Sequence, residues 1–401
     1  MKNMLRNLLF ICCTTTTYVS ISNAMEKLTE IDNNPTNIRK KQNVEEIATD
    51  CPSLQTLKLS KVGQPPEIIY SQISPQTLIE AIYWSIKAAE KGVVVEQKNL
   101  GELYRIGLII EKNNEESMRW YTRAAEQGDT GAQSNLGRMY KQGLGVEKNN
   151  EESLKWYTKA AEKGDAGAQN NMGRIYQQGL GVEKDDQEAV KWYTKAALQN
   201  NAAAQNSLGR MHRNGWGVKK DDQEAVKWYT KAALQDNAAA QNSLGDMYSN
   251  GWGVEKSDQE AGKWYTMAAL QDNAVAQAKL GDMYRNGLGV EKSNQEAVKW
   301  YTKAAEKGIA AAQNSLGVMY QYGLGLEKSN QEAVKWYTKA AEKGIAAAGN
   351  NLGEMYEFGF GVEKSDQEAV KWYTKAAEKG NAEAQANLER MHQNGLGVKK
   401  E

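Results

Sequence analysis

The chain has 401 residues, of which 40% are hydrophobic, and its 50 Lys and Arg balance 50 Asp and Glu. That balance leaves no net field to draw it to nucleic acid or to an acidic membrane surface. Cysteines stand only at Cys12, Cys13 and Cys51, which excludes a disulfide ladder or a cysteine metal framework over the rest of the chain.

Met1 to Ala24 reads as a targeting segment. Lys2 and Arg6 form a basic start, Leu8 to Cys13 an apolar run, and Ser22-Asn23-Ala24 the small residues a signal peptidase needs. The run is too short to span a bilayer permanently. Bulky Ile11 before Cys12 argues against lipid attachment. The segment predicts export through an inner membrane to a periplasmic or secreted destination, with a disordered leader as the alternative. Residues 25–76 hold all five prolines (Pro35, Pro52, Pro65, Pro66 and Pro75) and no long helical period. They read as a polar, flexible segment in which Cys51 is an incidental thiol.

From there a single pattern returns. Trp84, Trp120, Trp156, Trp192, Trp228, Trp264, Trp300, Trp336 and Trp372 are spaced by 36 residues. A fixed period of that length predicts stacked supersecondary units, here over residues 77–401. In the representative unit Ala204–Ala239, Ala204, Leu208, Met211 and His212 share one face of a first helix. Gly209 leaves room for a neighbouring helix, at about 1 kcal/mol in helix propensity. Gly215 and Gly217 then end that helix and turn the chain. The column 113, 149, 185, 221, 257, 293, 329, 365 holds only Asn, Asp or Ser, and Glu follows three residues later each time. That is the spacing of a capping box opening a second helix. In this helix Ala225, Trp228, Tyr229, Ala232 and Ala233 form the expected buried stripe, while Lys227 and Lys231 face water. Gly128, Gly164, Asn200, Asp236, Asp272, Gly308, Gly344 and Gly380 close the second helices, all types that tolerate the left-handed conformation. The tryptophans are expected to be structural, an interior Trp→Ala change costing about 3–5 kcal/mol.

Ala-x-x-x-Leu-Gly-x-Met-Tyr-x-x-Gly-x-Gly-Val, followed by Glu-Ala-x-Lys-Trp-Tyr-x-Lys-Ala-Ala-x-x-Gly, resembles the Sel-1-like repeat, a relative of the tetratricopeptide repeat. The 36-residue period and the Gly-x-Gly-Val loop favour the former. The resemblance implies an all-α, right-handed superhelical solenoid, first helices lining its concave side. It also implies an adaptor for protein partners in bacterial envelopes or host-associated bacteria. Two departures stand out. The first unit is degenerate, with Ile109 for a loop glycine and Glu96 for the opening alanine. Regular units run over about 132–383, and 384–401 supplies a first helix without a second, either a docked half-repeat cap or a truncation.

No catalytic, cofactor or metal constellation emerges. His212 and His392 stand in a tyrosine column, and the Gly-x-Gly loops lack a preceding strand and a Lys-Ser/Thr. Asp185-Asp186 and Asp221-Asp222 are better explained as caps than as calcium ligands. A cysteine-rich, penicillin-binding branch of the family has paired cysteines in each repeat, which this chain lacks. What remains is a surface. One first-helix column reads Arg138, Arg174, Arg210, Asp246, Asp282, Val318, Glu354, Arg390, and a second reads Lys141, Gln177, Arg213, Ser249, Arg285, Gln321, Glu357, Gln393. The second-helix lysines at 155, 191, 227, 263, 299, 335 and 371 never change. This predicts a groove that is basic near Arg138–Arg213 and more acidic from Asp246 onward, suited to a peptide of opposed charge polarity. Neutral variation at solvated positions is the competing account. A second candidate is apolar: Leu198, Leu234 and Leu270 replace Glu, and Trp216 and Trp252 replace Leu or Phe. These are either exposed anchors or inter-repeat packing. The expectation is an exported, monomeric, non-enzymatic scaffold for a protein or peptide, with no nucleic acid, no cofactor and no membrane span after signal cleavage. The alternative is a glycan- or cell-wall-associated regulator of an envelope enzyme.

Overall fold

The computed structural model describes residue 82 and residues 85–107 and 110–397. The expected leader and linker, with Cys12, Cys13 and Cys51, lie outside the described residues, as do Trp84, Ile109 and residues 398–401. Among the described residues no helix is long and apolar enough to cross a membrane.

The chain divides into two compact units, Met1–Trp192 and Tyr193–Glu401. Both are stretches of all-α solenoid, and no strand occurs among the described residues. In the first unit the first helices Val94–Ile106, Thr130–Gln142 and Ala166–Gln178 alternate with the second helices Asn114–Glu126 and Asn150–Glu162. In the second unit the first helices are Ala202–Asn214, Ala238–Asn250, Ala274–Asn286, Ala310–Tyr322, Ala346–Phe358 and Ala382–Gln393. The second helices between them are Asp222–Ala233, Asp258–Leu270, Asn294–Glu306, Asn330–Glu342 and Asp366–Ala377. Within each unit these helices each pack on the next in sequence, as short connections require. The last, Ala382–Gln393, docks through fully buried Ala384 and Met391.

The second helices open as the spacing predicts, with one difference. Asn149 Oδ1 accepts the Glu152 amide at 3.0 Å, and Asp221 Oδ1 that of Glu224 at 2.9 Å. The glutamates do not return to the cap. The cap's own N–H is taken by the preceding first helix, Asn149 donating to the Tyr140 carbonyl and Asp221 to that of His212. Each glutamate pairs instead with the lysine three residues on, as Glu152 does with Lys155 and Glu224 with Lys227. At the closing column Asn200, Asp236 and Asp272 adopt φ of 60°, 58° and 65°. The second loop glycine serves a close approach as well as a turn, since a Cβ on Gly253 would stand 2.3 Å from the Asp222 carbonyl oxygen.

The core differs from the expected stripe in which aromatic is innermost. Tyr121, Tyr337 and Tyr373 are 0% exposed, each ring wedged over the glycine of its own first helix. A Cβ on Gly137 would meet the Tyr157 ring at 2.7 Å, and one on Gly245 the Tyr265 ring at 2.6 Å. The tryptophans lie further out. Trp120, Trp156, Trp300 and Trp372 are buried at the margin, while Trp228, Trp264 and Trp336 are half-buried. They bridge repeats: Trp156 packs with Leu136 and Met139 of its own first helix and with Tyr121 of the preceding repeat. Lys227 and Lys231 are exposed, as expected, and Lys231 also lies over the Trp228 ring at 4.3 Å, as exposed Lys159 does over Trp156 at 4.2 Å. A residue three positions on is the natural roof for a half-exposed indole.

A buried glutamine column adds a second tie. Gln133 donates Nε2–H to the Ala125 carbonyl at 3.0 Å and Gln241 to that of Ala233 at 3.1 Å. Gly349 occupies this column in its repeat, and a cavity of about 300 Å³ lined by Ala341, Gly349, Trp372 and Lys375 lies there.

Candidate binding surface

The surface on which side-chain chemistry changes is the outer face of the first helices. In the second unit it is knitted across repeats by side chains alone. Lys279 Nζ reaches Asn242 at 3.2 Å and both oxygens of Asp246 at 2.6 and 2.8 Å. Asn387 Nδ2 reaches Asn350 at 3.1 Å, and Arg390 grips Glu357 with two bonds of 2.7 and 2.8 Å.

The core tyrosines join this face from below. Each ring is buried, yet its hydroxyl emerges between first helices. Tyr265 donates to Asp246 at 2.5 Å, Tyr301 to Asp282 at 2.6 Å, Tyr337 to Gln321 at 2.6 Å and Tyr373 to Glu357 at 2.8 Å. Tyr121 donates to Glu102 in the first unit. The phenols of Tyr265 and Tyr301 are pushed up, first by burial and then by these acids.

The expected acidic half of the face is therefore largely spent internally. Asp246 is paired with Lys279 and accepts a hydrogen bond from Tyr265. Glu357 departs furthest from a partner-binding role, being 5% exposed, and the Arg390 guanidinium holds its carboxyl below the usual range. Glu354 is half-buried and its carboxyl is raised, first by burial and then by Glu383 and Glu357. Asp282 remains exposed and Arg285 half-buried.

The basic positions are less spent. In the first unit Arg138 donates to Asn135 Oδ1 at 2.7 Å, and no ion pair holds Arg138, Lys141 or Arg174 among the described residues. Burial and the nearby Arg174 hold the Lys141 ammonium below its usual value. In the second unit Arg210 is exposed and stands 5.9 Å from the Trp216 ring. Arg213 pairs with Asp222 at 3.3 Å and stacks on the Trp252 ring at 3.8 Å.

Trp216 and Trp252 are 39% and 37% exposed, so a third of each indole faces solvent. Sequence reasoning missed that they belong to a longer row. Leu288, Tyr322, Phe358 and Phe360, all exposed, occupy the same first-helix ends in the following repeats, and the two phenylalanine rings stand 5.7 Å apart. The signal was present in the 214 and 216 columns, where Asn gives way to Tyr322 and Phe358. At the opposite ends of the helix pairs Leu198, Leu234 and Leu270 are 73%, 73% and 71% exposed. Inter-repeat packing does not account for them. His392 is exposed, His212 half-buried, and no cluster of His, Cys, Asp and Glu able to hold a metal ion occurs among the described residues.

Comparison with known proteins bears on this surface. The Sel1 repeat family matches residues 75–93, 97–129 and then every 36-residue unit from 130 to 381, with 382–401 as the last. Among solved structures, the chain is similar to c5321, a protective antigen present in uropathogenic Escherichia coli strains displaying an SLR fold. The two share 38% identity at a TM-score of 0.70, over 82% of this chain and 71% of that one. It is also similar to a Sel1 repeat protein from Oxalobacter formigenes, with 31% identity and a TM-score of 0.58 over 84% and 97% of the two chains. No curated protein matches the sequence.

Proposed function

For a chain that belongs to the Sel1 repeat family, a family of protein-interaction scaffolds, we propose a non-enzymatic adaptor that holds a protein or peptide along its first-helix face. The observation that carries this is the contrast between the two faces. From Asn150 on the described second helices keep a lysine paired to the cap glutamate, and most roof their tryptophan with a second lysine. Arg119 and Arg123 take these places in Asn114–Glu126, and Met267 replaces the roof beside Trp264, while the first helices change charge from repeat to repeat. A face that served only stability would have no need of Arg138, Arg174 and Arg210 at solvent.

Export belongs to the same reading. It is supported by the basic-apolar-small order of residues 1–24 and by the likeness to a protective antigen of uropathogenic strains. Fusion of the leader to a reporter active only outside the cytoplasm tests it, and an inactive fusion removes it. The binding reading is tested by capture from envelope and host-cell extracts with the full chain and with a variant reversing Arg138, Arg174 and Arg210 together. Equal capture by both would place binding elsewhere. A second reading is favoured by the aromatic row from Trp216 to Phe360, since exposed rings suit sugar faces as well as peptides. Co-sedimentation with cell-wall material that is lost on Trp216→Ala and Trp252→Ala would favour this glycan-associated role.

A further inference from the structure

We propose that the first unit contains a carboxylate-selective subsite, formed by Arg138, Arg174, Lys141 and the Tyr157 hydroxyl, and that it receives an acidic residue of an extended peptide. This rests on the reading of the first-helix face as a peptide surface and names the chemistry of the partner.

Elsewhere on this face the chain supplies such a carboxylate to itself. In the second unit Glu357 sits among three donors, the Tyr373 hydroxyl at 2.8 Å and two N–H groups of Arg390 at 2.7 and 2.8 Å. Six repeats earlier the same columns hold Tyr157 for Tyr373, Arg174 for Arg390 and Lys141 for Glu357. The donors are kept and the carboxylate is replaced by an ammonium. Asp246 tells the same story one column over. It accepts from Tyr265 and Lys279, and its equivalent beside Tyr157 is Arg138.

Around Tyr157, acceptors have thus been exchanged for cations at both positions that elsewhere satisfy the tyrosine. Its ring is 2% exposed and wedged over Gly137. Among the described residues its hydroxyl has no acceptor, and it is not one of the buried unpartnered oxygens, so it stands at the surface end of the ring. Burial pushes the phenol up to about 12 and Asp165 adds to this, while Arg138 and Arg174 pull it down. The repeat sets the two arginines on the columns of Asp246 and Arg390, the first of which reaches its tyrosine hydroxyl at 2.5 Å. Lys141 feels Arg174 as well. Arg138 and Lys141, three residues apart, share one helix face. Glu102 of the preceding repeat feels Arg138 but is itself bound by Arg105 and Tyr121. No ion pair holds Arg138, Arg174 or Lys141 among the described residues, and no acid of this chain accepts from the Tyr157 hydroxyl. An acceptor from outside is the complement. The expected bipolar groove is revised accordingly: Asp246 and Glu357 are closed on themselves, and recognition concentrates where the cations are open.

The test uses the full chain and a short fluorescein-labelled peptide of alternating Glu and Ser, read by fluorescence anisotropy. Lys141→Glu rebuilds the Glu357 arrangement in the first unit. It is expected to leave helicity and thermal unfolding intact while weakening the peptide by more than about tenfold, as a tethered carboxylate fills the site. Tyr157→Phe keeps the ring and all charges, and loss of one hydrogen bond to a charged group should weaken binding by about tenfold. Unchanged affinity in either variant overturns the proposal. So does an oligonucleotide of equal charge that competes as well as the peptide, which would make the patch a general polyanion site. If the wild-type chain ignores the peptide yet captures protein partners that Lys141→Glu also captures, this inference falls and the scaffold reading stands.

Discussion

Gly317→Ala separates two contributions of opposite sign. In an ordinary helix interior the change would stabilise by about 1 kcal/mol. Here the added Cβ would stand 2.6 Å from both Cδ1 and Cε1 of Tyr337, a ring with 0% exposure. Carbon pairs rest at about 3.5–4.0 Å, so the ring must withdraw by about 1 Å. It has nowhere to go, because Ala333, Ala340, Leu352 and Met355 behind it are also fully buried. Overpacking of this kind costs about 1–3 kcal/mol. Set against the propensity gain, the expected net loss is up to about 2 kcal/mol. Stability in a repeat array is partly local, so amide hydrogen exchange within residues 310–345 is the informative assay beside urea unfolding. The same substitution made in a Tyr337→Leu background loses its clash and should become stabilising. If Gly317→Ala alone protects these amides better than the parent, the wedge of ring over glycine is not what positions the helix pair.

Three further outcomes follow from individual sites. Gly349→Gln restores the glutamine column, fills the cavity beside Ala341 and should stabilise by about 1–2 kcal/mol through helix propensity and one buried hydrogen bond, measured as a raised urea midpoint; an unchanged or lowered midpoint would show that the 3.2 Å approach to Ala376 Cβ dominates. Changing Leu198, Leu234 and Leu270 together to Glu, the residue of the other repeats, should shift unfolding by less than about 0.5 kcal/mol because all three are more than 70% exposed. Glu357→Gln bears on pH: the wild-type carboxyl titrates below the usual range because of Arg390, so its contribution is full above the unfolded carboxylate value and is lost as pH falls through the lower folded value. The variant should lose about 1–2 kcal/mol at neutral pH, Arg390 being partly exposed to solvent, and should show a flatter acid limb of thermal unfolding.

The repeat boundaries, caps and left-handed closures were legible in the sequence because each rests on a local rule. An Asn, Asp or Ser at column 221 and a positive-φ residue at column 236 need no tertiary knowledge. What the sequence did not reveal depends on which neighbour arrives from the next helix. Tyr229 and Trp228 are adjacent in a stripe, and periodicity gives no means of ranking them. The glycine at column 209 decides it, by admitting the tyrosine and leaving the tryptophan at the rim. The return arm of the capping box failed for the same reason, since a carbonyl from the preceding first helix had already taken the cap amide. Charge columns were readable as charge, but not as free charge. Nothing in the 213 column announces that Glu357 is closed by an arginine of the following repeat.

That closure bears on how such an array acquires selectivity without losing stability. Core and face meet in a single residue, the tyrosine, whose ring is held by packing and whose hydroxyl is offered to the face. Where the first helix presents Asp246, Asp282 or Glu357, the hydroxyl is satisfied internally and the face is quiet. Where it presents Arg138, the ring is unchanged, so packing loses nothing, but an oriented donor is left beside a cation. One substitution at a solvated column can therefore convert a structural hydrogen bond into a recognition site, with the core acting as its mount. The converse is a design rule with a sharp outcome. Asp282→Arg should release the Tyr301 hydroxyl beside half-buried Arg285 and give the second unit an affinity for the Glu-Ser peptide that Tyr301→Phe then removes. Failure to gain that affinity in a folded variant would mean that an oriented tyrosine and two cations are not sufficient for carboxylate recognition on this face.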